Sequence, residues 1–283
     1  MLLRPELTIR RDLLPLVQKA LAGRYTVHRE IGRGGAARVF LAEDETGRSL
    51  ALKVLHPELQ VSVTADRFLR EIRLASKIDH PLVARVLDSG EVEWLVYYVM
   101  PFIEGPTLRG HLDRVRRMPI SDAVRMGRDL LGALGAAHQV GIIHRDVKPE
   151  NIVLSAEGAV LLDFGIARAI EAAGTSQLTR SGIAVGTSSY MSPEQVQAQT
   201  TIDARTDLYS VGCVLFESLA GRPPFRHPNE VVVLQMHMNE EAPDVRTFRE
   251  DTPPALAEAV ARALKKKPDD RWKSAGVMAA ALG

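Results

Sequence analysis

The hydrophobic pattern of this chain changes once, near Gly105, and the change limits the folds open to it. Between Tyr25 and Met100 the apolar residues fall in short β-rich runs: Thr26 to Glu30, Arg38 to Glu43, Ser49 to Leu55, Ala84 to Asp88 and Glu93 to Met100. One helical stretch, Ala65 to Lys77, interrupts them. After Gly105 helical spacing takes over, at Ser121 to Gln139, Arg205 to Ala220, Glu230 to Asn239, Pro254 to Lys266 and Ser274 to Leu282. Strands first and helices afterwards predict an α+β chain in two lobes.

Ahead of the strands, Ile9 to Leu21 sets Ile9, Leu13, Leu16, Val17, Ala20 and Leu21 near one helical face and Arg10, Arg11, Gln18 and Lys19 away from it. Pro15 then belongs in the first turn and Gly23 supplies the stop. The polar face is short and only moderately basic, so docking against its own domain is expected rather than a membrane-surface role.

With 283 residues the chain is long enough for a sizeable core. Thirty-six Lys and Arg against thirty-five Asp and Glu leave a net charge of +1, without the basic footprint of a nucleic-acid binder. The lone cysteine, Cys213, sits in an apolar run, so it reads as core and excludes an internal disulfide. No run of about 18 apolar residues exists, and charge breaks Met1 to Glu6 before a signal-peptide core forms. A cytoplasmic protein without membrane contact in this chain is expected. The abrupt helical end at Ala279 to Gly283 also suits the front of a longer gene product with an anchor beyond it. The basic run Lys265-Lys266-Lys267 reads as a solvated helix end that complements the dipole.

Two stretches carry chemistry. Gly32-Arg33-Gly34-Gly35-Ala36-Ala37-Arg38-Val39 joins two expected strands, and its small residues let backbone N–H groups approach phosphate oxygens. Taken alone, such a turn more often reads as an ordinary hairpin. Lys53 follows among apolar Ala51, Leu52, Val54 and Leu55, a setting in which an ammonium needs a partner. The second stretch is His144-Arg145-Asp146-Val147-Lys148-Pro149-Glu150-Asn151, with Asp163-Phe164-Gly165 twelve residues beyond it. One carboxylate to orient a hydroxyl, a cation to meet a transferring phosphate, and an amide oxygen and second carboxylate to hold Mg²⁺ are what phosphoryl transfer from a metal-bound nucleotide needs.

These runs resemble the protein kinase signatures H-R-D-L-x-x-x-N and D-F-G, with Val147 in place of Leu. From Tyr25 onward the chain is similar to the eukaryotic-like Ser/Thr kinases of bacteria. The resemblance implies a bilobal protein-kinase-like fold: an extension over 1–24, an N-lobe and hinge over 25–103 with a small antiparallel sheet and one main helix, and a mostly helical C-lobe over 104–283. It implies ATP bound by Ile31, Gly32, Gly34, Gly35, Val39, Ala51, Lys53, Met100, Pro101 and Ile103. Met100 would be the gatekeeper, and Pro101 is tolerated because the hinge uses its carbonyl and the Ile103 N–H. Ala37 departs from the pattern by filling the third glycine place.

By the same resemblance Glu71 pairs with Lys53, Asp146 orients the acceptor hydroxyl, Lys148 stabilises developing charge, and Asn151 and Asp163 bind Mg²⁺, with Mn²⁺ as a substitute. His144 is structural beneath Phe164, and Arg145 is placed to bind a phosphate on the loop that follows. Thr179 and Ser181 match autophosphorylation sites, and Thr187 matches the residue that positions substrate. Glu194, in Ser192-Pro193-Glu194, would pair with Arg271, while Asp207 and Gly212 would support the catalytic loop. The expected function is a Ser/Thr protein kinase acting on ATP and protein substrates in bacterial signalling, with a homodimer for trans-autophosphorylation. The alternatives are a pseudokinase, which would usually lack one of Lys53, Asp146, Asn151 or Asp163, and a small-molecule phosphotransferase.

Overall fold

Period-two burial builds the first layer. In strand β2, Ala37–Glu43, buried Arg38, Phe40 and Ala42 alternate with half-buried neighbours. The structure is a computed structural model that describes residues 12–34, 37–56, 65–93, 95–164 and 188–283, with the side chains of 65–67 and 71 outside the description. The described residues fall into two compact units, one from 12–76 and 85–102, the other from 77–84, 103–164 and 188–283.

The first unit holds β1 (Thr26–Arg33), β2, β3 (Ser49–Leu55), β4 (Asp88–Val92) and β5 (Leu95–Pro101) in one antiparallel sheet of order β1-β2-β3-β5-β4. Helix α1, Leu14–Ala20, has Pro15 in its first turn and is followed by Gly23 at a φ of 82°. Its Val17, with flanking Leu13 and Leu21, joins Val27, Phe40, Leu52, Val54, Tyr97 and Val99 in one core cluster. Burying each such side chain contributes about 1.5–3 kcal/mol, so residues 12–24 are an integral layer of the unit; Leu16, expected on the apolar face, is instead exposed, and Ile9, Arg10 and Arg11 lie outside the described residues. Gln18, expected on the polar side, donates its amide to Val27 O at 2.9 Å. Helix α2, Ala65–Ala75, lies beside β4, with the Phe68 ring tilted against Tyr98, centroids 6.2 Å apart.

One expected strand is displaced. Ala84 to Asp88 makes no ladder: Ala84 N–H bonds Leu161 O at 3.0 Å and Leu87 N–H bonds Val99 O at 2.8 Å. The strand is instead Asp88–Val92, which has no apolar run and owes its form to pairing with Leu95–Pro101. Backbone pairing, not side-chain pattern, decided it.

The second unit is mostly helical: α3 (Leu108–Val115), α4 (Ile120–Gln139), α5 (Pro193–Val196), α6 (Arg205–Ala220), α7 (Glu230–Asn239), α8 (Pro254–Ala263) and α9 (Ala275–Ala281), with a hairpin of β6 (Ile152–Leu154) and β7 (Ala159–Leu161). Helix α6 is buried from Thr206 to Ala220, packed between α4 and α8, and Cys213 is sealed inside it as expected. A Cβ on Gly212 would stand 2.9 Å from Ala263 Cβ, so only glycine permits this approach of α6 to α8. Helix α8 stops at Ala263, short of the expected Lys266. Lys266 is not a solvated helix end: its ammonium donates to Met236 O and His237 O, at 3.1 and 2.8 Å, at the C-terminal end of α7. Burial pulls its pKa down to about 8. Among the described residues no helix is long and apolar enough to cross a membrane.

Candidate active site

In the sheet unit the register collects residues that the sequence scatters. Phe40 pairs with Leu52 and Val99 with Leu52, all in the core beneath α1. Their neighbours therefore share the opposite face: Val39 opposite Lys53, Lys53 opposite Tyr98, and Ala51 opposite Met100. Val39, Ala51, Lys53 and Met100 thus line one side of the sheet. Gly32 pairs with Val39 at the start of the glycine-rich turn, and Ile31 occupies a register shift just before it. Gly34 N–H bonds Ala37 O at 2.9 Å, and the Gly34 carbonyl accepts from His56 Nε2 at 2.9 Å. Pro101 ends β5 opposite Leu50, and Phe102 N–H bonds Ser49 O at 3.2 Å. Gly35 and the Glu71 side chain lie outside the described residues; the Glu71 backbone is on α2. Ile103 is half-buried and belongs to the second unit.

The helical unit holds the loop His144 to Asn151 by its backbone. The buried Asp207 carboxylate accepts His144 N–H at 2.9 Å, Arg145 N–H at 2.8 Å and His138 Nε2 at 2.8 Å. Arg145 sits at a φ of 65° and Asp163 at 66°, left-handed conformations that cost a non-glycine residue of the order of 1–3 kcal/mol. Asp207 on one side and Gln195, whose amide donates to Arg145 O at 2.7 Å, hold Arg145 there. His144 is fully buried, bonds Leu162 O through Nε2 at 2.7 Å, and meets Phe164 edge-on with centroids 4.6 Å apart, as expected of a structural ring.

Asp146 is the centre of the polar groups. Lys148 Nζ stands 2.8 Å from Asp146 Oδ2, and Asn151 Nδ2 donates to that oxygen at 2.9 Å and to Asp146 O at 2.8 Å. Two donors on Oδ2 leave Oδ1 as the oxygen that can receive an incoming hydroxyl. The same contacts commit the Asn151 nitrogen, so its amide oxygen is the atom offered to a cation. Leu162 N–H bonds Asn151 O at 2.9 Å, which ties the residue before Asp163 to the loop. One amide oxygen and one carboxylate suit a hard cation shared with phosphate oxygens. A closed protein cage is not built: among the described residues no three His, Cys, Asp or Glu side chains gather at a metal site.

Behind the loop, Ser192 caps α5 through a reciprocal capping box with Gln195. Glu194 and Arg271 pair in the interior as expected, joined by the Thr206 hydroxyl at 2.6 Å. Sequence reasoning did not single out His56, Gln195 or Arg109, and no local pattern marks them. Gly165, Thr179, Ser181 and Thr187 lie outside the described residues.

A protein kinase domain model matches residues 25–281. The serine/threonine-protein kinase PknB of Mycolicibacterium smegmatis is 40% identical over 269 residues, covering 93% of this chain and 43% of that protein. A probable serine/threonine-protein kinase of Streptomyces coelicolor is 39% identical over 267 residues, covering 92% of this chain and 39% of its own length. The PknB of Mycobacterium leprae is 40% identical over 269 residues, again 93% of this chain and 43% of the relative. The chain spans less than half the length of these curated relatives. With a protein kinase domain model matching residues 25–281 and relatives about 40% identical over more than nine-tenths of its length, the chain belongs to the protein kinase domain family.

Proposed function

We propose that this chain transfers the γ-phosphate of ATP to Ser or Thr hydroxyls of proteins. The observation that carries the reading is the convergence of Lys148 and Asn151 on one oxygen of Asp146. Asp146 orients the hydroxyl and takes its proton, and Lys148 neutralises charge that develops on the transferred group. Lys53 holds the nucleotide phosphates, with Glu71 as its partner, while Ile31, Gly32, Gly34, Gly35 and Val39 cradle them. Ala51, Met100, Pro101 and Ile103 receive the base. A Mg²⁺ ion, replaceable by Mn²⁺, would be held by Asn151 and Asp163 and would neutralise phosphate charge. All four residues whose loss usually marks a pseudokinase are present: Lys53, Asp146, Asn151 and Asp163.

Autophosphorylation at Thr179 or Ser181, between two copies of the chain, would place a phosphate for Arg145 to bind, and Thr187 would steady the substrate hydroxyl. A cytoplasmic setting is supported by the lone cysteine, which allows no internal disulfide and suits a reducing compartment. The test is incubation of the purified chain with Mg-ATP, followed by intact mass and phosphosite mapping, beside Asp146→Asn and Lys53→Met. Phosphate on Thr179 or Ser181 in the native chain alone is the expected result. No incorporation into chain or substrate protein would overturn the reading.

A further inference from the structure

Arg109 lies in the first turn of α3, where a cation opposes the helix dipole. Its guanidinium is nevertheless fully engaged. Nε donates to Glu150 Oε1 at 3.0 Å, Nη1 to Glu217 Oε1 at 2.9 Å, and Nη2 to Glu217 Oε2 at 3.2 Å and to the Tyr190 hydroxyl. The Tyr190 hydroxyl in turn donates to Glu217 Oε2. Asp113, on the same helix, stands 3.6 Å from Nη1.

Three segments therefore meet on one side chain. Glu150 belongs to the loop that carries Asp146, Lys148 and Asn151. Tyr190 closes the Ser188–Tyr190 turn, just before Ser192-Pro193-Glu194. Glu217 projects from α6 with only 7% of its side chain exposed, so it is a fixed point whose charge needs a partner. Only a planar fork can reach all three at once; a lysine ammonium cannot.

We propose that Arg109 is a positioning residue that fastens the Glu150 end of the catalytic loop and the Ser188–Tyr190 turn to α6, and so sets the surface that receives the substrate polypeptide. The assignment rests on the kinase reading above. Its role is distinct from nucleotide binding, because none of its partners, Glu150, Tyr190, Glu217 and Asp113, is among the residues assigned above to ATP or the metal.

The experiment compares wild type, Arg109→Lys, Glu150→Gln and the double variant, by backbone hydrogen exchange and by steady-state kinetics with a peptide substrate. Arg109→Lys is expected to speed exchange in 147–152 and 188–191 while α4 and α8 exchange as in wild type. It should lower kcat/KM for the peptide about tenfold with KM for ATP unchanged within about twofold. Glu150 is exposed, so Glu150→Gln preserves the fold and keeps the test decisive if Arg109→Lys does not fold. It should reproduce part of the loss, and the double variant should add little to Arg109→Lys, as expected of two residues acting through one contact. Unchanged exchange in both segments overturns the proposal, as does a loss that raises KM for ATP equally or strictly additive effects. An inactive wild type would overturn the kinase reading alone, since exchange still reports whether Arg109 fastens the loop.

Discussion

Glu194 and Arg271 form a bidentate ion pair in the interior of the helical unit, with Nη1 2.7 Å from Oε1 and Nη2 2.8 Å from Oε2. Arg271 spends its remaining donors on the carbonyls of Lys265, Lys266 and Arg205. Burial raises the Glu194 pKa, but the hydrogen bonds and charge of Arg271 outweigh it and hold the carboxyl below its usual 4.5. Removing one partner strands the other charge. Arg271→Met is expected to destabilise the chain by about 3–5 kcal/mol, read as a lowered denaturant midpoint at constant slope.

Asp146→Asn keeps the size of the side chain and the loop's backbone anchors on Asp207, so the fold and nucleotide affinity should persist. Peptide phosphorylation should fall by roughly 10²–10⁴, the range for losing a positioned general base. Nucleotide titration and turnover on the same preparation check both halves of the statement.

His56, the residue just after the strand that carries Lys53, holds the Gly34 carbonyl. Since a carbonyl only accepts, the ring nitrogen is the donor. His56→Ala frees the turn and should raise KM for ATP about three- to fivefold, the effect of losing roughly 1 kcal/mol from one exposed-side hydrogen bond. His56→Gln, which retains a donor, should recover part of the affinity, and KM for peptide should not move.

His237 gives the chain an acid limit. It is fully buried against Tyr209, whose hydroxyl bonds Nδ1 at 2.8 Å, and against Phe225 with centroids 4.8 Å apart. Burial, helped by the Lys266 ammonium, pushes its pKa from 6.5 down to about 3. Between those values the unfolded chain binds a proton that the folded chain refuses. Stability therefore falls as pH drops below about 6.5, with a limiting slope of about 1.4 kcal/mol per pH unit for one proton. Glu194 adds its own loss only below 4.5, so it does not contribute between 6.5 and 5. Denaturant melts of His237→Phe across that interval should show a flatter dependence from a lower starting stability.

The sequence by itself determined what depends on near neighbours. The apolar residues flanking Lys53 marked Ser49–Leu55 as a strand packed on both faces, helical spacing marked α6 and α7 to the residue, and the spacing of Asp146, Lys148, Asn151 and Asp163 named the chemistry. Each is a short-range property, because a period reports which face is buried and a loop motif closes on itself. The tertiary structure alone decided what those faces meet. Asp88–Val92 became a strand through its partner, Lys266 capped α7 from beyond the end of α8, and Arg109 found Glu150, Tyr190 and Glu217 at separations of 41, 81 and 108 positions. No local pattern records such a meeting. A buried carboxylate such as Glu217 must be satisfied by whatever donor packing brings to it, and packing is settled only when the whole core closes.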